Sequence, residues 1–144
     1  MRPLEGYRVL DFSRALAGPY CTALLADLGA DVIKVEEPGA GDEARHWGPP
    51  FFGGESAYFL SMNRSKRSIA VNLKAPEGLA LCLRLAAGAD VVVENFRPGV
   101  AGRIGIGFDA VRGRQAGVVR LGRCSCRFRP SWPSGPASLG ACAV

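Results

Sequence analysis

The sequence predicts an α/β fold built on a Rossmann-like parallel sheet, and two observations support that prediction. Short apolar segments rich in β-branched residues alternate with longer segments that have the apolar period of a helix. These helical segments are long enough to act as crossovers, which makes consecutive strands parallel. Hydrophobic residues make up 48% of the 144-residue chain and charged residues 22%, as is typical of a globular protein.

The first part of the chain predicts a strand–helix–strand unit. Residues 8–12 and 31–36 are predicted as strands, and residues 17–28 between them as a helix. Pro19 fits the first turn of that helix, where its missing N–H is not needed, and Gly29 fits the C-terminal cap.

The second part repeats this alternation after a loop rich in glycine and proline at about residues 37–54. Residues 56–63 are predicted as a short helix and residues 68–72 as a third strand. A second crossover helix begins at Pro76 and ends at Gly88. The strand 90–94 follows, and its run of valines predicts burial on both faces. The sheet formed by these elements is incomplete.

The C-terminal segment differs from the rest in composition. Residues 1–112 contain all 13 acidic residues and 13 of the 18 lysines and arginines, so their charges cancel. Residues 113–144 contain the other arginines, and therefore the whole net charge of +5. We interpret residues 1–112 as the N-terminal part of a larger domain and residues 113–144 as an irregular basic tail. The tail is either a disordered extension or the product of a frameshifted gene.

Several classes of function are not favoured. Because residues 1–112 are neutral, no nucleic-acid partner is expected. No apolar run approaches the roughly 18 residues of a membrane helix, and no secretory pattern opens the chain, so we expect a cytoplasmic protein with free thiols. The turn after the first strand lacks the dinucleotide and P-loop glycine patterns. His46 is the only histidine, and Cys124 and Cys126 lack a second ligand pair, so no metal site is predicted.

The loops that follow the predicted strands carry five cations. In a parallel sheet these loops meet at one edge, where ligands bind. The cations are Arg14, Arg45, Lys74, Arg97 and Arg103. Their convergence indicates an anionic ligand such as a phosphate group. The alternative is ordinary solvated charge, and the spacing alone does not decide between the two.

Six strings of the sequence together resemble the family III CoA-transferases. They have the order and spacing of that family and lie within residues 3–112. The family includes formyl-CoA, carnitine and succinate-type CoA-transferases and the related α-methylacyl-CoA racemases. The strings are residues 6–14, 16–19, 25–36, 63–68, 94–99 and 104–107.

The resemblance implies that coenzyme A binds as a substrate, together with an acyl-CoA and a carboxylic acid, and that the family's chains form an interlocked homodimer. It implies no metal. The implied contact residues are Ala15 near the thioester end, Val71 near the adenine, Asn95, Phe96 and Arg97 in one turn, and the phosphate-binding Arg103.

The resemblance also implies a catalytic step that this chain lacks. In the family an aspartate attacks the acyl-CoA thioester, which is covalent catalysis by a carboxylate. The last acidic residue here is Asp109, well before that position, so we expect no catalytic residue and an inactive N-terminal fragment. The alternatives are an acyl-CoA racemase of the same fold and a non-catalytic module that binds CoA or another anion.

Overall fold

A computed structural model of the chain describes residues 2–113 and the backbone of residues 119–121. Within these ranges five parallel strands form one sheet, and two further strands form a separate antiparallel hairpin. The predicted α/β fold with a parallel sheet is therefore confirmed. The strands are β1 (Arg8–Asp11), β2 (Asp31–Glu36), β3 (Phe51–Phe52), β4 (Glu55–Ser56), β5 (Arg67–Ala70), β6 (Val91–Val93) and β7 (Val119–Leu121).

Helices connect the strands of the described residues. They are α1 (Ala17–Asp27), α2 (Ala57–Asn63), α3 (Pro76–Ala87), α4 (Val100–Ile104) and α5 (Phe108–Arg112), with a 3₁₀ helix at Glu43–His46. The two long helices have the predicted ends, since Pro19 lies in the first turn of α1 and Gly88 is the C-cap of α3. Each crosses between strands of the sheet, which explains the parallel pairing.

The sheet is covered on both faces. Val9 of β1 packs in one apolar cluster with Ala26 of α1, whereas Leu10 belongs to a second cluster with Cys82 of α3. This division follows from the pleat of a strand, because successive side chains point to opposite faces. The same alternation places Val92 and Val93 of the interior strand β6 in the two opposite clusters, so both faces of this strand are covered, as its sequence predicts.

Helix α1 contacts the sheet through small residues. A Cβ atom on Gly18 would lie only 2.2 Å from the Cβ of Ser13, so this close approach requires glycine. Leu24 and Leu28, whose spacing predicts the helix, are instead 42% and 46% exposed. The period of the sequence therefore identifies the helix but not its inner face. The buried residues of α1 are Gly18, Pro19, Thr22, Ala23 and Ala26.

The sheet continues beyond residue 112, where the sequence shows no strand period. β7 pairs with β6, placing Val119 opposite Val91 and Leu121 opposite Val93. A strand of three residues is too short for a period to be visible, and its pairing with β6 determines its conformation. The division of the chain into 1–112 and 113–144 stays a prediction, and residues 114–118 and 122–144 lie outside the described residues.

Candidate functional site

The strand order reverses at β1 and creates a crevice at the carboxyl edge of the sheet. The spatial order is β5-β2-β1-β6-β7, so the chain first builds one side of β1 and then returns to the other. Ligands of open parallel sheets bind at such a reversal. The loops after β1 and β6 meet there through two hydrogen bonds. Arg14 donates its N–H to Asn95 Oδ1 at 2.9 Å, and Asn95 Nδ2 donates to the Arg14 carbonyl oxygen at 2.7 Å.

The loop between β1 and α1, residues 12–16, is termed the first loop. Side chains from distant elements hold its backbone. Lys34 Nζ donates to the Ser13 carbonyl oxygen at 2.8 Å, and the Ala15 N–H donates to Asp42 Oδ1 at 3.2 Å. Ala15 has a φ of 65°, a left-handed conformation that costs a non-glycine residue about 1–3 kcal/mol. The surrounding hydrogen bonds hold the loop in this conformation.

Four charged side chains beside the first loop form two buried ion pairs. Lys34 Nζ lies 2.9 Å from Asp42 Oδ2, and Lys66 Nζ lies 3.1 Å from Asp11 Oδ2. None of the four side chains is more than 2% exposed. Burial lowers the pKa of Lys66 to about 8, although the charge of Asp11 opposes that shift. Each pair is neutral, which is the condition for burying charge at a tolerable cost.

Asp11 also ties the first loop to helix α1. Its Oδ1 accepts the N–H of Ser13 at 2.9 Å and the Ser13 hydroxyl, while Oδ2 accepts the Thr22 hydroxyl at 2.5 Å. Lys66 donates in addition to the carbonyl oxygen of Pro19 at 2.8 Å. One carboxylate and its lysine therefore fix both the start of the loop and the first turns of α1.

Arg45 is one of the five cations expected to converge on a ligand, but its guanidinium binds side chains of the protein itself. Its guanidinium donates to both carboxylate oxygens of Glu36, at 2.7 and 2.8 Å, and lies 3.8 Å from the ring centroid of Phe59. Burial raises the pKa of Glu36, but hydrogen bonds from Arg45, Ser68 and the backbone of Asp42 outweigh it and bring the pKa to about 2. The prediction of convergence is therefore wrong for Arg45.

A cleft opens next to the first loop and joins apolar and charged side chains. Val71 and Phe96 line its apolar part, and Arg14, Glu37 and Lys74 line its charged part. The Glu37 carboxylate lies 3.6 Å from both Arg14 Nη2 and Lys74 Nζ. The Arg14 guanidinium carbon is also 5.8 Å from the ring centroid of Phe96. The cleft therefore offers an aromatic face beside two cations.

Arg97 and Arg103 lie on the exposed surface of the turn and helix that follow β6. The carbonyl oxygen of Arg97 accepts the N–H of Val100 at 3.0 Å, and the Arg103 N–H donates to Gly99 at 3.1 Å. Both bonds use the backbone and do not involve the guanidinium groups. Within residues 2–113 neither arginine forms an ion pair, in contrast to Arg45.

The predicted contact residues divide into two groups. Ala15 and Asn95 belong to the hydrogen-bonded first loop, and Val71 and Phe96 line the adjacent cleft. Arg97 and Arg103, on the exposed turn and helix described above, are not among the lining residues of that cleft. The CoA contacts of all six stay predictions.

Sequence reasoning missed the four residues of the buried ion pairs. One signal was available: Lys34 interrupts the apolar run of Val32, Ile33 and Val35, and a lysine inside a sheet requires a buried partner. The partner itself could not be found from spacing, because Asp42 follows in a loop whose path the sequence does not specify.

The histidine and cysteine motifs of the sequence form no metal site in the described part of the chain. His46 is exposed at the end of the 3₁₀ helix, and Cys124 and Cys126 lie outside the described residues. Among residues 2–113 and 119–121, no group of three histidine, cysteine or acidic side chains could hold a metal ion. The helices of the same residues are all too short or too polar to cross a membrane.

The fold is that of an α/β protein with a parallel sheet, and the cleft beside its strand reversal is lined by apolar, aromatic and charged side chains. The chain belongs to CoA-transferase family III, whose sequence model matches residues 4–123. This confirms the family inferred from the sequence strings and extends the match beyond residue 112.

Named relatives and a solved structure agree with this assignment. Mouse succinyl-CoA:glutarate CoA-transferase is 58% identical over 111 residues, which are 77% of this chain and 26% of the mouse protein. Succinate–glutarate CoA-transferase of Agrobacterium fabrum is 50% identical over 116 residues, 76% of this chain and 29% of that protein. The crystal structure of a CAIB/BAIF family protein from Brucella suis has a TM-score of 0.81 and 43% identity, covering 84% of this chain and 33% of that one. The chain thus spans about a quarter to a third of the proteins it matches.

Proposed function

We propose that this chain provides the CoA-binding crevice of a family III CoA-transferase. The observation that carries the proposal is the cleft at the strand reversal, where Val71 and Phe96 lie next to Arg14 and Lys74. CoA combines an aromatic adenine with phosphate groups, so a cleft with an aromatic face beside cations suits it. The names of the relatives support the same ligand class, since each describes transfer of CoA.

The proposed contacts follow the polarity of the site. The adenine lies near Val71, in the apolar part of the cleft. Phosphate groups bind the exposed Arg97 and Arg103, whose guanidinium groups form no ion pair within residues 2–113. A further phosphate group binds Arg14 at the cleft and replaces the carboxylate of Glu37 as its partner. The thioester end points to Ala15 in the first loop.

The transfer step of the proposed activity moves CoA from an acyl-CoA to a carboxylic acid. An aspartate carboxylate attacks the thioester carbon to form a mixed anhydride, and the CoA thiolate leaves as the carbon–sulfur bond breaks. The thiolate then attacks the aspartyl carbonyl carbon, which forms an aspartyl thioester of CoA and releases the donor acid as a carboxylate. The acceptor carboxylate displaces CoA from this thioester as a second mixed anhydride forms, and the thiolate attacks the acceptor's acyl carbon, which forms the new acyl-CoA and restores the aspartate.

No acidic residue follows Asp109 in this sequence. We therefore propose that the chain binds CoA but does not transfer it. The names of the relatives make succinyl-CoA the first thioester to test.

Calorimetric titration of the full chain with CoA tests the binding proposal, with NAD as the comparison ligand. CoA is expected to bind at least tenfold more tightly than NAD, because the first loop lacks the dinucleotide glycines. Equal affinity for both ligands, or no heat with CoA, would contradict the proposal.

Treatment with hydroxylamine after incubation with succinyl-CoA tests the absence of transfer. Hydroxylamine captures an aspartyl thioester or anhydride as a hydroxamate, which mass spectrometry detects. We expect the mass of the chain to stay unchanged. A hydroxamate on any acidic residue would show that the chain carries its own nucleophile.

A further inference from the structure

The side chain of Asn95 forms two hydrogen bonds, one as acceptor and one as donor, and both are with the backbone of Arg14. Its Oδ1 accepts the N–H of Arg14 at 2.9 Å, and its Nδ2 donates to the carbonyl oxygen of Arg14 at 2.7 Å. The two residues are 81 positions apart in the chain. The carboxamide therefore joins the loops on the two sides of the strand reversal at a single point.

The backbone that Asn95 holds lies next to a residue in an unfavourable conformation. Ala15, the next residue, has a left-handed φ of 65°. Asp42 holds the Ala15 N–H, so two side chains from different loops fix two consecutive residues. Such a conformation persists only where its surroundings over-determine it.

The residue whose backbone is held is also the one that places a cation in the cleft. The Arg14 side chain lines the cleft, with its guanidinium 3.6 Å from Glu37 and 5.8 Å from the Phe96 ring centroid. Phe96 directly follows Asn95. The turn that supplies the aromatic face therefore also fixes the backbone from which the neighbouring cation extends.

We propose that Asn95 is a positioning residue, which sets the place of the Arg14 guanidinium for an anionic group of the ligand. Its carboxamide acts through the Arg14 backbone, so that the predicted CoA contact of Asn95 is made by its own backbone. This inference rests on the proposed function, because the ligand is taken to be CoA.

A double-mutant cycle in CoA affinity tests the coupling between the two residues. R14A is expected to weaken CoA binding about tenfold, as for the loss of a charge-assisted contact. N95A is expected to weaken it by about the same factor, and the double variant by no more than R14A alone. If the two losses multiply, Asn95 contacts the ligand directly and the inference is overturned.

S56A is the matched control. The buried hydroxyl of Ser56 also bonds backbone groups twice, donating to the Trp47 carbonyl oxygen and accepting the Phe59 N–H at 3.3 Å, and neither partner belongs to the first loop. Its loss is expected to lower the melting temperature as N95A does, while CoA affinity changes less than twofold. A tenfold loss in S56A would mean that general destabilisation explains both variants.

Amide hydrogen exchange without ligand separates this inference from the proposed function. The Arg14 and Ala15 amides are expected to be protected in the unaltered chain and exposed in N95L, whose side chain has a similar size but neither accepts nor donates a hydrogen bond. N95L also covers the case in which N95A does not fold. Unprotected amides in the unaltered chain overturn the inference while CoA binding stands. Protected amides in a chain that binds no CoA overturn the proposed function and, with it, the role assigned to Asn95.

Discussion

The two sides of the strand reversal use charge in opposite ways. On the β1–β2 side, Lys34 and Lys66 are buried in ion pairs, and Arg45 is bound by Glu36. On the β6–α4 side, Arg97 and Arg103 are exposed and form no ion pair within residues 2–113. The first set holds the backbone that borders the crevice, whereas the second set is available to an anion. Cations that look alike in the sequence thus differ in role according to burial and pairing.

The largest expected effect is the loss of a buried ion pair on the β1–β2 side. D42A leaves Lys34 buried without its carboxylate, which destabilises a protein by about 3–5 kcal/mol. Urea denaturation measures the change, with E43A at the neighbouring exposed position as the control. D42N, which removes the charge and keeps the shape, covers the case in which D42A does not fold. A loss below about 1 kcal/mol in both Asp42 variants would mean that the pair does not hold the loop.

A somewhat smaller loss of stability is expected when low pH protonates the carboxylate of Glu36. Its pKa is about 2 in the folded chain, against an ordinary value of 4.5, so its contribution to stability is complete above pH 4.5 and is lost as the pH falls towards 2. The shift corresponds to about 3 kcal/mol. The stabilities of the unaltered chain and of E36Q, measured by denaturation, should differ most at pH 6 and converge as the pH falls to about 2. A difference that does not depend on pH would contradict the charged contact with Arg45, and E43Q controls for the loss of an exposed carboxylate.

The elements that the sequence predicts well are those with local signals. Pro19 and Gly88 lie at helix ends, and the valines of β6 are buried on both faces. α4 and α5, of five residues each, are too short for a clear apolar period. The inner face of α1 was also not predictable, because its contact with the sheet depends on glycine and alanine rather than on leucine.

The candidate site was predictable as a set of loops but not as a set of contacts. Parallel strands bring their carboxyl ends to one edge, which is why Val71 and Phe96 lie in the same cleft. Whether a cation is free to bind a ligand depends on the ion pairs that it forms in the tertiary structure. Arg45 finds Glu36, nine residues away, and Lys66 finds Asp11 across 55 residues. Such long-range pairs cannot be identified from a single sequence.

Titration of CoA into R103A and R84A tests most directly whether CoA binds at the strand reversal. Both arginines are exposed, but only Arg103 lies near that reversal. Arg103 follows β6 at the crevice, whereas Arg84 lies in the last turn of α3. We expect R103A to lose about tenfold or more in CoA affinity, the value of a charge-assisted phosphate contact. R84A should lose less than twofold, with a difference that disappears as salt is raised. Equal losses in both variants would show that CoA is held by general positive charge, and would contradict a CoA site at the strand reversal.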